Sequence, residues 1–584
     1  MAGSVVISAF VALSLTPMMA ARILRPVRRE QHGPLFLAFE RGFDALSRGY
    51  GAVLRRVLRH RVLTLGVGAG ALALMVWAYQ SLDKEFLPEE DRGMFLCFVV
   101  TPEGSTAEYT DRMMRQMEQM LETVPEIRSR GTIVAPPFSG PGAANQGIAF
   151  VRLHPERTRG VQEIVNGPEG LRLRFLAGIE GALVIPNIPK PISRGFGAPF
   201  SLVLQNDDLD QLNTTAQAVA NKLRTLGFLV NVRSSFEVTK PELRIEIDRN
   251  RAAALGVSVA DISRTLQILF GGLDLSRIKV GGKQYDVIAQ LDRFSRLTPR
   301  DLERVYVRND RGTLVQLNSV VNYRSGAAPN AIEHYNRLRS ASITATPVGV
   351  TLGTAIERVE ALLAAELPPG TLHTWSGESR DLLEAQEQFW WILGLAVVIV
   401  YMVLASQFES LVHPFTVMLA LPLAGVGAFG LLWLIGFAGR AGWLPPVPAM
   451  NFNLYSQVGV VLLVGLVTKN SILLVEFANQ QRAAGADSHT AMVRAGLVRL
   501  RPILMTSFST IAGILPIAIG FGAGAESRRP MGVAVVGGMI TSTFLTLFII
   551  PVVYTALADL SDRVLGRKPT AAPAPAAVQP AGGS

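Results

Sequence analysis

The sequence predicts a membrane α-helical bundle of about seven transmembrane helices joined to a large α+β region outside the membrane. Three observations predict this fold. Seven apolar runs are long enough to cross a bilayer as helices. About 300 residues of soluble character separate the second run from the third. Within that interval, strand and helix patterns follow one another in the order β-α-β-β-α-β, which is typical of a ferredoxin-like unit.

The composition fits a protein with membrane and water-exposed parts. Of the 584 residues, 49% are hydrophobic and 17% are charged, and the formal net charge is +10. Ten arginines lie between Arg22 and Arg61, which favours the cytoplasmic side for that segment. Because this charge flanks apolar runs, we expect no nucleic-acid partner. The single cysteine, Cys97, excludes an intrachain disulfide and indicates a small core residue in a strand.

The apolar runs set the expected topology. They are residues 3–21, 62–80, 389–405, 414–437, 457–478, 503–522 and 531–557. The positive-inside bias places residue 1 outside and the arginine-rich stretch inside. The first run could instead be a signal peptide, but no positive charge precedes it. A chain that begins outside without an export signal predicts that upstream helices are missing.

Residues 33–61 show the helical spacing of an amphipathic segment. Phe36, Phe39, Phe43 and Leu46 recur on one side. This pattern predicts a helix that lies on the inner face of the membrane. The alternative is an ordinary soluble helix packed on the ends of the membrane helices.

The interval between the second and third runs predicts two β-α-β-β-α-β units. The first has strands at 94–101, 131–135, 147–153 and 182–186, with helices at 106–123 and 160–176. The second has strands at 200–205, 229–234, 340–346 and 371–375, with helices at 209–226 and 352–366. Residues 237–322 interrupt the second unit as an inserted domain. The topology places all of this on the outer face, which is the periplasm if the source is a Gram-negative bacterium.

The motifs of common enzymes are absent from the sequence. No G-x-x-x-x-G-K-[S/T] phosphate loop occurs, because Gly281-Gly282-Lys283-Gln284 lacks the upstream glycine and the hydroxyl. The seven histidines show no metal-ligand spacing. We therefore expect neither an enzyme nor a cofactor or metal site.

Lys469 lies in the middle of the apolar run at 457–478. An ammonium at bilayer depth costs about 2.5 to 3.5 kcal/mol, so it requires a carboxylate or a water-filled path. The only acid of that helix, Glu476, is seven residues away, about 10 Å along the axis. Either Lys469 is idle, with its ammonium extended to the membrane interface, or its carboxylate lies on another polypeptide. We expect the latter, with Lys469 as half of a proton relay whose other half is absent from this sequence.

The next apolar run is preceded by an arginine and includes a threonine near its start, and both are further candidates for the relay. Arg499 and Thr506 are seven residues apart and therefore share one helix face. Alternatively, Arg499 is a positive flank of the membrane span, and Thr506 is a packing hydroxyl that bonds its own backbone.

One loop of the outer region combines glycine hinges with rigid prolines. Residues 135–147 (APPFSGPGAANQG) contain three Gly, three Pro and one aromatic residue, Phe138. This composition suits a loop that switches position beside a pocket, and it equally suits an ordinary surface connector.

Several motifs now identify a resemblance that covers residues 5 to 560. The chain resembles the carboxyl-terminal half of a resistance-nodulation-division (RND) efflux transporter of the hydrophobe/amphiphile multidrug branch. The motifs are residues 11–24 (VALSLTPMMAARIL), 86–93 (FLPEEDRG), 404–414 (LASQFESLVHP), 465–478 (GLVTKNSILLVEFA), 499–507 (RLRPILMTS) and 537–551.

The resemblance implies a division of the chain into familiar parts. These are a transmembrane helix at 1–24, the sixth of twelve family spans; a cytoplasmic basic segment with an amphipathic helix at 25–61; a transmembrane helix at 62–81; a first porter subdomain at 86–192; a second porter subdomain at 193–236 and 323–380; a docking or funnel subdomain at 237–322; five transmembrane helices at 387–560; and a disordered cytoplasmic tail at 561–584.

The resemblance also assigns roles to residues. Lys469, Arg499 and Thr506 match the proton relay of the family, whose Asp pair lies on a span absent from this sequence. Residues 135–147 match the switch loop, although Pro136 and Pro137 depart from the more familiar Gly/Phe pattern. The positions expected to line the substrate path are Val134, Phe138, Phe150, Phe200 and Leu202.

The implied function is proton-driven export of amphiphilic organic compounds from the bacterial inner membrane. The implied partners are two further copies in a homotrimer, a periplasmic adaptor protein, an outer-membrane channel and the missing amino-terminal half. The metal-exporting branch is disfavoured because no methionine occurs between residues 121 and 401 to bind soft metals. Two alternatives are a truncated remnant without the proton-carrying Asp pair, and a proton-linked protein-export factor.

Overall fold

The computed structural model divides into two compact units. The helical unit comprises Met1–Asp83 and Ala385–Ser584, and the sheet unit comprises Lys84–Glu384. The structure describes residues 2–23, 34–102, 104–136, 142–190, 198–236, 240–328, 331–441, 443, 450–522 and 524–564. The tail predicted at 561–584 therefore falls mostly outside the described residues.

The helices carry the labels used below. In chain order they are α1 Ala2–Leu13, α2 Leu15–Ile23, α3 Pro34–Arg59, α4 Arg61–Gln80, α5 Ala107–Glu122, α6 Val161–Asn166, α7 Leu171–Gly178, α8 Leu209–Thr225, α9 Arg249–Ala254, α10 Val259–Leu266, α11 Leu352–Glu366, α12 Gly377–Phe408, α13 His413–Met418, α14 Ala420–Arg440, α15 Leu454–Ala483, α16 Ser488–Ile519 and α17 Arg529–Val564.

Every strand of the described residues belongs to the sheet unit. They are β1 Met94–Val100, β2 Ile127–Val134, β3 Gln146–Leu153, β4 Leu183–Asn187, β5 Phe200–Gln205, β6 Leu229–Ser234, β7 Lys240–Ile247, β8 Leu273–Val280, β9 Lys283–Ala289, β10 Tyr306–Arg308, β11 Leu314–Gln316, β12 Val321–Ala328, β13 Glu333–Tyr335, β14 Leu338–Pro347 and β15 Leu372–Trp375.

Seven helical segments among the described residues are long and apolar enough to cross a membrane. They are Val6–Ile23, Arg61–Gln80, Gly377–Phe408, His413–Arg440, Leu454–Ala483, Ser488–Ile519 and Arg529–Leu560. Each overlaps one of the seven predicted apolar runs. The structure thus agrees with the sequence on the number and the position of the candidate spans.

Glycines allow two helices of the helical unit to approach closely. A Cβ atom on Gly427 of α14 would lie 2.1 Å from the carbonyl oxygen of Gly537 on α17. A Cβ atom on Gly537 would in turn lie 2.3 Å from the carbonyl oxygen of Gly427. Small residues at a helix crossing permit backbone contact of this kind. This crossing sets the position of α17 beside the other membrane helices.

The first sheet has the strand order β2-β3-β1-β4, and each neighbouring pair is antiparallel. This is the order of a β-α-β-β-α-β unit, with α5, α6 and α7 on one face. Two bounds differ from the sequence prediction. β2 begins at Ile127 rather than at 131, and the helix predicted at 160–176 is split, because Gly167 and Pro168 end α6.

The second sheet has the order β13-β14-β5-β15, and β6 also pairs with β14. Its helices, α8 and α11, begin at the side-chain caps Asp208 and Thr351. The four predicted strands and two predicted helices are present with bounds within a few residues. The cores of the first and second sheets are separate clusters.

The interrupting segment has a core of its own. β7 pairs with β12 from Lys240↔Ala328 to Ile247↔Val321, so that the segment starts and ends on one antiparallel ribbon. The hairpins β8-β9 and β10-β11 and the helices α9 and α10 lie between these strands. Ile262, Leu302 and Leu317 are among its fully buried side chains.

Candidate functional site

Lys469 lies near the midpoint of the 30-residue helix α15. The helix begins at a capping box in which the Asn453 side chain accepts from the backbone N–H of Ser456. The half-buried Lys469 ammonium donates a hydrogen bond to the hydroxyl of Thr510 on α16 at 3.1 Å. Sequence analysis predicted that Lys469 lies in the middle of a membrane span. The structure shows in addition that its hydrogen-bond partner is the uncharged hydroxyl of Thr510.

The Thr510 contact continues along α16 through the backbone. The Thr510 hydroxyl lies 2.8 Å from the carbonyl oxygen of Thr506, and the Thr506 hydroxyl donates to the carbonyl oxygen of Ile503 at 3.1 Å. The Thr506 side chain is therefore satisfied by its own helix. In this conformation Thr506 contributes a backbone oxygen, rather than its hydroxyl, to the surroundings of Lys469.

Arg499 is placed apart from the lysine. Its guanidinium carbon lies 4.9 Å from the centre of the Phe477 ring, within the range of a cation–π contact. Its Nε atom is buried without a hydrogen-bond partner among the described residues. No hydrogen bond joins Arg499 to Lys469 or Thr506 in that part of the chain. Of the three predicted relay residues, Lys469 and Thr506 are linked through Thr510, whereas Arg499 contacts neither of them among the described residues.

No carboxylate of the described residues pairs with Lys469. Within the described ranges, no ion pair of any Asp or Glu reaches its ammonium, and its one hydrogen-bond partner there is Thr510. Glu476 is exposed and lies near Gln480, whose side-chain amide donates to it at 3.4 Å. Within the described ranges, α15 therefore supplies no carboxylate to Lys469.

A second polar network lies inside the helical unit, next in sequence to the lysine. The Asn470 side-chain amide donates to the Ser507 hydroxyl at 3.3 Å, and the hydroxyls of Ser507 and Thr543 are 3.0 Å apart. All three side chains are buried. This network ties α15 to α16 and α17. Sequence analysis assigned no role to Ser507, Thr510 or Thr543.

Val134 and Phe150, both predicted to line the substrate path, lie on opposite faces of the first sheet. Val134 pairs with Gly147, whereas Phe150 pairs with Gly131, three residues away along each strand. Because alternate residues of a strand face opposite ways, the two side chains diverge. Val134 packs on the helix side and contributes, with Glu108 and Arg112 of α5, to an open groove of about 800 Å³.

Phe200 and Leu202 occupy the core of the second sheet. Both have 0% exposure, and the Phe200 ring packs edge-on against Trp375 at 5.3 Å. They face the helices α8 and α11. Neither offers surface to a bound molecule in this conformation, so the structure differs here from the expectation that they line a substrate path. The reason is the strand period, which turns both to the buried side.

The predicted switch loop is described only at its two ends. Ala135 donates its backbone N–H to the carbonyl oxygen of Gln146 at 2.8 Å, which closes the base of the loop. Ala135 has a φ of 50°, in the left-handed region that is uncommon for residues other than glycine. Phe138 lies outside the described residues, and its predicted role stays a prediction.

Asp91 of the FLPEEDRG motif is a half-buried anchor. Asp91 accepts hydrogen bonds from Arg157 and from the backbone N–H groups of Val161 and Gly93, the latter two both at 2.9 Å. Burial alone would raise the pKa of Asp91, but these hydrogen bonds outweigh it and lower that pKa below its ordinary value. The motif therefore joins the start of β1 to the start of α6.

The described residues contain no group of three or more His, Cys, Asp or Glu side chains that could hold a metal ion. Cys97 is completely buried in the first sheet, and this burial raises the pKa of its thiol. It behaves as the core residue that the sequence predicts.

Comparison with known proteins places the chain among transporters. The model of the AcrB/AcrD/AcrF family matches residues 1–558. The multidrug resistance protein MdtC of Erwinia amylovora is 32% identical over 572 residues, which cover 96% of this chain and 53% of that protein. The toluene efflux pump membrane transporter TtgB of Pseudomonas putida is 31% identical over 566 residues, with 95% and 52% covered.

A solved structure shows the same fold. The X-ray crystal structure of a heavy metal efflux pump aligns with a TM-score of 0.74 and 25% identity, over 89% of this chain and 52% of that one. The chain spans about half the length of the curated relatives it matches. Its relatives include RND multidrug efflux transporters, which are membrane proteins. The chain therefore belongs to the AcrB/AcrD/AcrF family of RND transporters.

Proposed function

We propose that this chain supplies the carboxyl-terminal half of a proton/drug antiporter of the bacterial inner membrane. The observation that carries the proposal is Lys469, a cation near the middle of α15 that finds a threonine hydroxyl and no carboxylate among the described residues. A carboxylate from the other half would pair with Lys469 when ionised and release it when protonated. Such a change of charge would couple proton passage to helix movement.

Lys469, Arg499 and Thr506 are the proposed relay residues, although they do not form one contact in this conformation. The buried Nε of Arg499 has no hydrogen-bond partner in the described ranges. It can therefore donate a hydrogen bond to an acceptor from the other half. The Thr506 hydroxyl would have to leave the Ile503 carbonyl to act directly. The relay is therefore proposed to assemble only when the helices of the missing half are present.

We propose amphiphilic organic compounds as the cargo, which would pass through an outer region made of porter subdomains and a docking subdomain. The proposed contacts are Val134 and Phe150, which lie on opposite faces of the first sheet, and Phe138, which lies outside the described residues. Soft metal ions are disfavoured as cargo, because Met113, Met114 and Met117 of α5 are buried in the core of the first sheet. Their thioether sulfurs are therefore not exposed to bind a metal ion. The proposed assembly is a homotrimer with an adaptor protein and an outer-membrane channel, without enzymatic activity or a cofactor.

The experiment is a lysine replacement in the complete transporter that contains this half. Lys469→Ala is expected to abolish resistance to amphiphilic drugs and to leave trimer formation, measured by size-exclusion chromatography, intact. Lys283→Ala, which removes an exposed ammonium on the hairpin β8-β9, is the matched control. Full resistance in Lys469→Ala cells would remove this residue from the relay. Loss of resistance in the control as well would point to a general charge effect.

The two alternatives predict different outcomes. A truncated remnant predicts no drug export from any transporter that contains this half, with or without substitutions. A protein-export factor predicts that drug resistance is insensitive to Lys469→Ala, while secretion of proteins falls.

A further inference from the structure

The helix α3 is anchored to the helical unit along one side. Its buried Tyr50 donates a hydrogen bond from its hydroxyl to the carbonyl oxygen of Leu547 at 2.9 Å. Leu54 and Leu58 are buried in the same cluster, against residues of α15, α16 and α17. A Cβ atom on Gly496 would lie 2.8 Å from a methyl carbon of Leu54, so α3 crosses α16 at a glycine. This anchoring determines which sides of α3 face outward.

One outward side of α3 carries a row of cations, which we call the arginine stripe. It consists of Arg41, Arg48, Arg55 and Arg59, at spacings of seven, seven and four residues, which place them on one helix face. All four side chains are exposed. Among the residues that the structure describes, no carboxylate pairs with any of these guanidinium groups. Five arginines and two acids give α3 a net charge of +3.

The other outward side of α3 is apolar. Leu46 is 52% exposed and Val53 is 46% exposed, and their separation of seven residues places them on one face. Val62 and Leu63, at the start of the candidate span α4, are also exposed. An apolar flank that leads into a membrane helix, with cations on the opposite flank, is the arrangement of a helix at a membrane interface.

We propose that the arginine stripe binds the phosphate groups of anionic phospholipids in the cytoplasmic leaflet. Guanidinium groups bind phosphate oxygens in a bidentate manner, and basic residues beside a membrane helix attract anionic headgroups. An acidic protein would match the charge, but it would leave the apolar flank uncovered. The side of the membrane follows from the topology of the proposed function, whereas lipid binding itself does not depend on transport.

The test compares two short-chain lipids titrated onto the purified full chain in a neutral detergent. The probes are phosphatidylglycerol and phosphatidylcholine with identical acyl chains, and binding is measured by native mass spectrometry. We expect phosphatidylglycerol to bind more tightly, and we expect this preference to weaken at high salt because exposed charges are screened. Equal affinity for both lipids, or a preference insensitive to salt, would overturn the proposal.

Substitutions then locate the binding. Each arginine beside an anionic surface strengthens binding by roughly fivefold, so Arg41→Gln, Arg48→Gln and Arg55→Gln together should weaken phosphatidylglycerol binding by roughly 100-fold. The control triple, Arg264→Gln, Arg308→Gln and Arg311→Gln, removes the same charge from exposed positions of the sheet unit and should retain the preference. An equal loss in both triples would mean a general charge effect and overturn the assignment.

Two further experiments test the remaining explanations, namely misfolding of the glutamine triple and binding of a ligand other than lipid. If the glutamine triple fails to fold, the lysine triple at the same three positions keeps the charge and should retain most of the preference. Inorganic phosphate alone should not displace the lipid at comparable concentration, because it lacks the acyl chains that cover Leu46 and Val53. Displacement by free phosphate or by an acidic peptide with equal potency would replace the lipid with that ligand. Loss of lipid binding with intact drug export, or the reverse, separates this inference from the proposed antiporter.

Discussion

The Nζ atom of Lys469 lies 3.1 Å from the Oγ1 atom of Thr510, on the next helix, and Thr510 in turn contacts the backbone of Thr506. A charged donor thus rests on a neutral hydroxyl at the centre of a candidate membrane span. A hydroxyl can hold an ammonium in place without neutralising it. This arrangement suits a cation that must remain available to a carboxylate.

The first prediction concerns that hydroxyl. Thr510→Val keeps the shape of the side chain but removes the acceptor, so drug efflux by the complete transporter should fall by roughly tenfold, the value of one hydrogen bond to a charged group. Efflux of a fluorescent amphiphile from energised cells is the measurement. Ser509→Ala, which removes an exposed hydroxyl one residue away, should leave the rate unchanged. An unaltered rate in Thr510→Val would show that the contact is not used.

The second prediction concerns the network of Asn470, Ser507 and Thr543. Ser507→Ala leaves Asn470 and Thr543 without their shared partner and should lower the stability of the helical unit by about 1 kcal/mol, as expected for hydrogen bonds between membrane helices. Thermal unfolding in detergent measures this loss. The double variant Asn470→Ala with Ser507→Ala should be less damaging than the sum of its parts, and strict additivity would contradict the network.

The third prediction concerns the crossing of α14 and α17. Gly427→Ala places a methyl group within 2.1 Å of the Gly537 carbonyl oxygen and should lower stability by about 1 to 3 kcal/mol, the cost of overpacking. Gly430→Ala, on the same helix with open space around it, is the control and should be neutral or slightly stabilising. The measurement compares the melting temperatures of the two variants in detergent. Equal values would mean that α14 and α17 can move apart at no cost in stability.

The fourth prediction concerns pH and Asp91. Because its pKa is lowered in the folded state, its ionised form stabilises the sheet unit fully above the ordinary value of 3.8, and this contribution is lost as the pH falls through the lowered pKa. Asp91→Asn should therefore unfold more easily than the wild type at neutral pH, and the difference should shrink below about pH 3.8. Asp111→Asn removes an exposed partner of Arg115 and should change little at any pH. A pH-independent gap for Asp91→Asn would mean that the carboxylate charge is not the cause.

The fifth prediction separates core residues from substrate contacts. Phe200→Ala removes a completely buried ring and should destabilise the sheet unit by about 3 to 5 kcal/mol. The yield of folded protein should therefore fall, and resistance to all drugs should fall with it. Phe150→Ala, on the half-exposed face of the first sheet, should fold normally and change which drugs are exported. Protein yield and the drug-resistance profile are measured together. Selective loss of some drugs in a normally folded Phe200→Ala protein would restore that residue to the substrate path.

The sequence predicts much of this protein because local patterns carry strong physical constraints. A long apolar run must become a membrane helix, and alternation of apolar residues specifies a strand, so the spans and most strands could be located in advance. Lys469 could be selected for the same reason, since a charge within an apolar run is costly wherever the helix lies. The split of α6 from α7 was signalled by Gly167 and Pro168 but not predicted.

The tertiary structure decided how side chains from distant parts of the chain meet. The pairing of Asn470 with Ser507 and Thr543 joins three helices whose rotation about their own axes no single segment determines. The register of β2 against β3 placed Val134 and Phe150 on opposite faces, and the strand period turned Phe200 and Leu202 into a core. Burial of one residue in a segment can be inferred from its own pattern, whereas a contact between segments depends on their relative rotation and register, which only the packed molecule establishes.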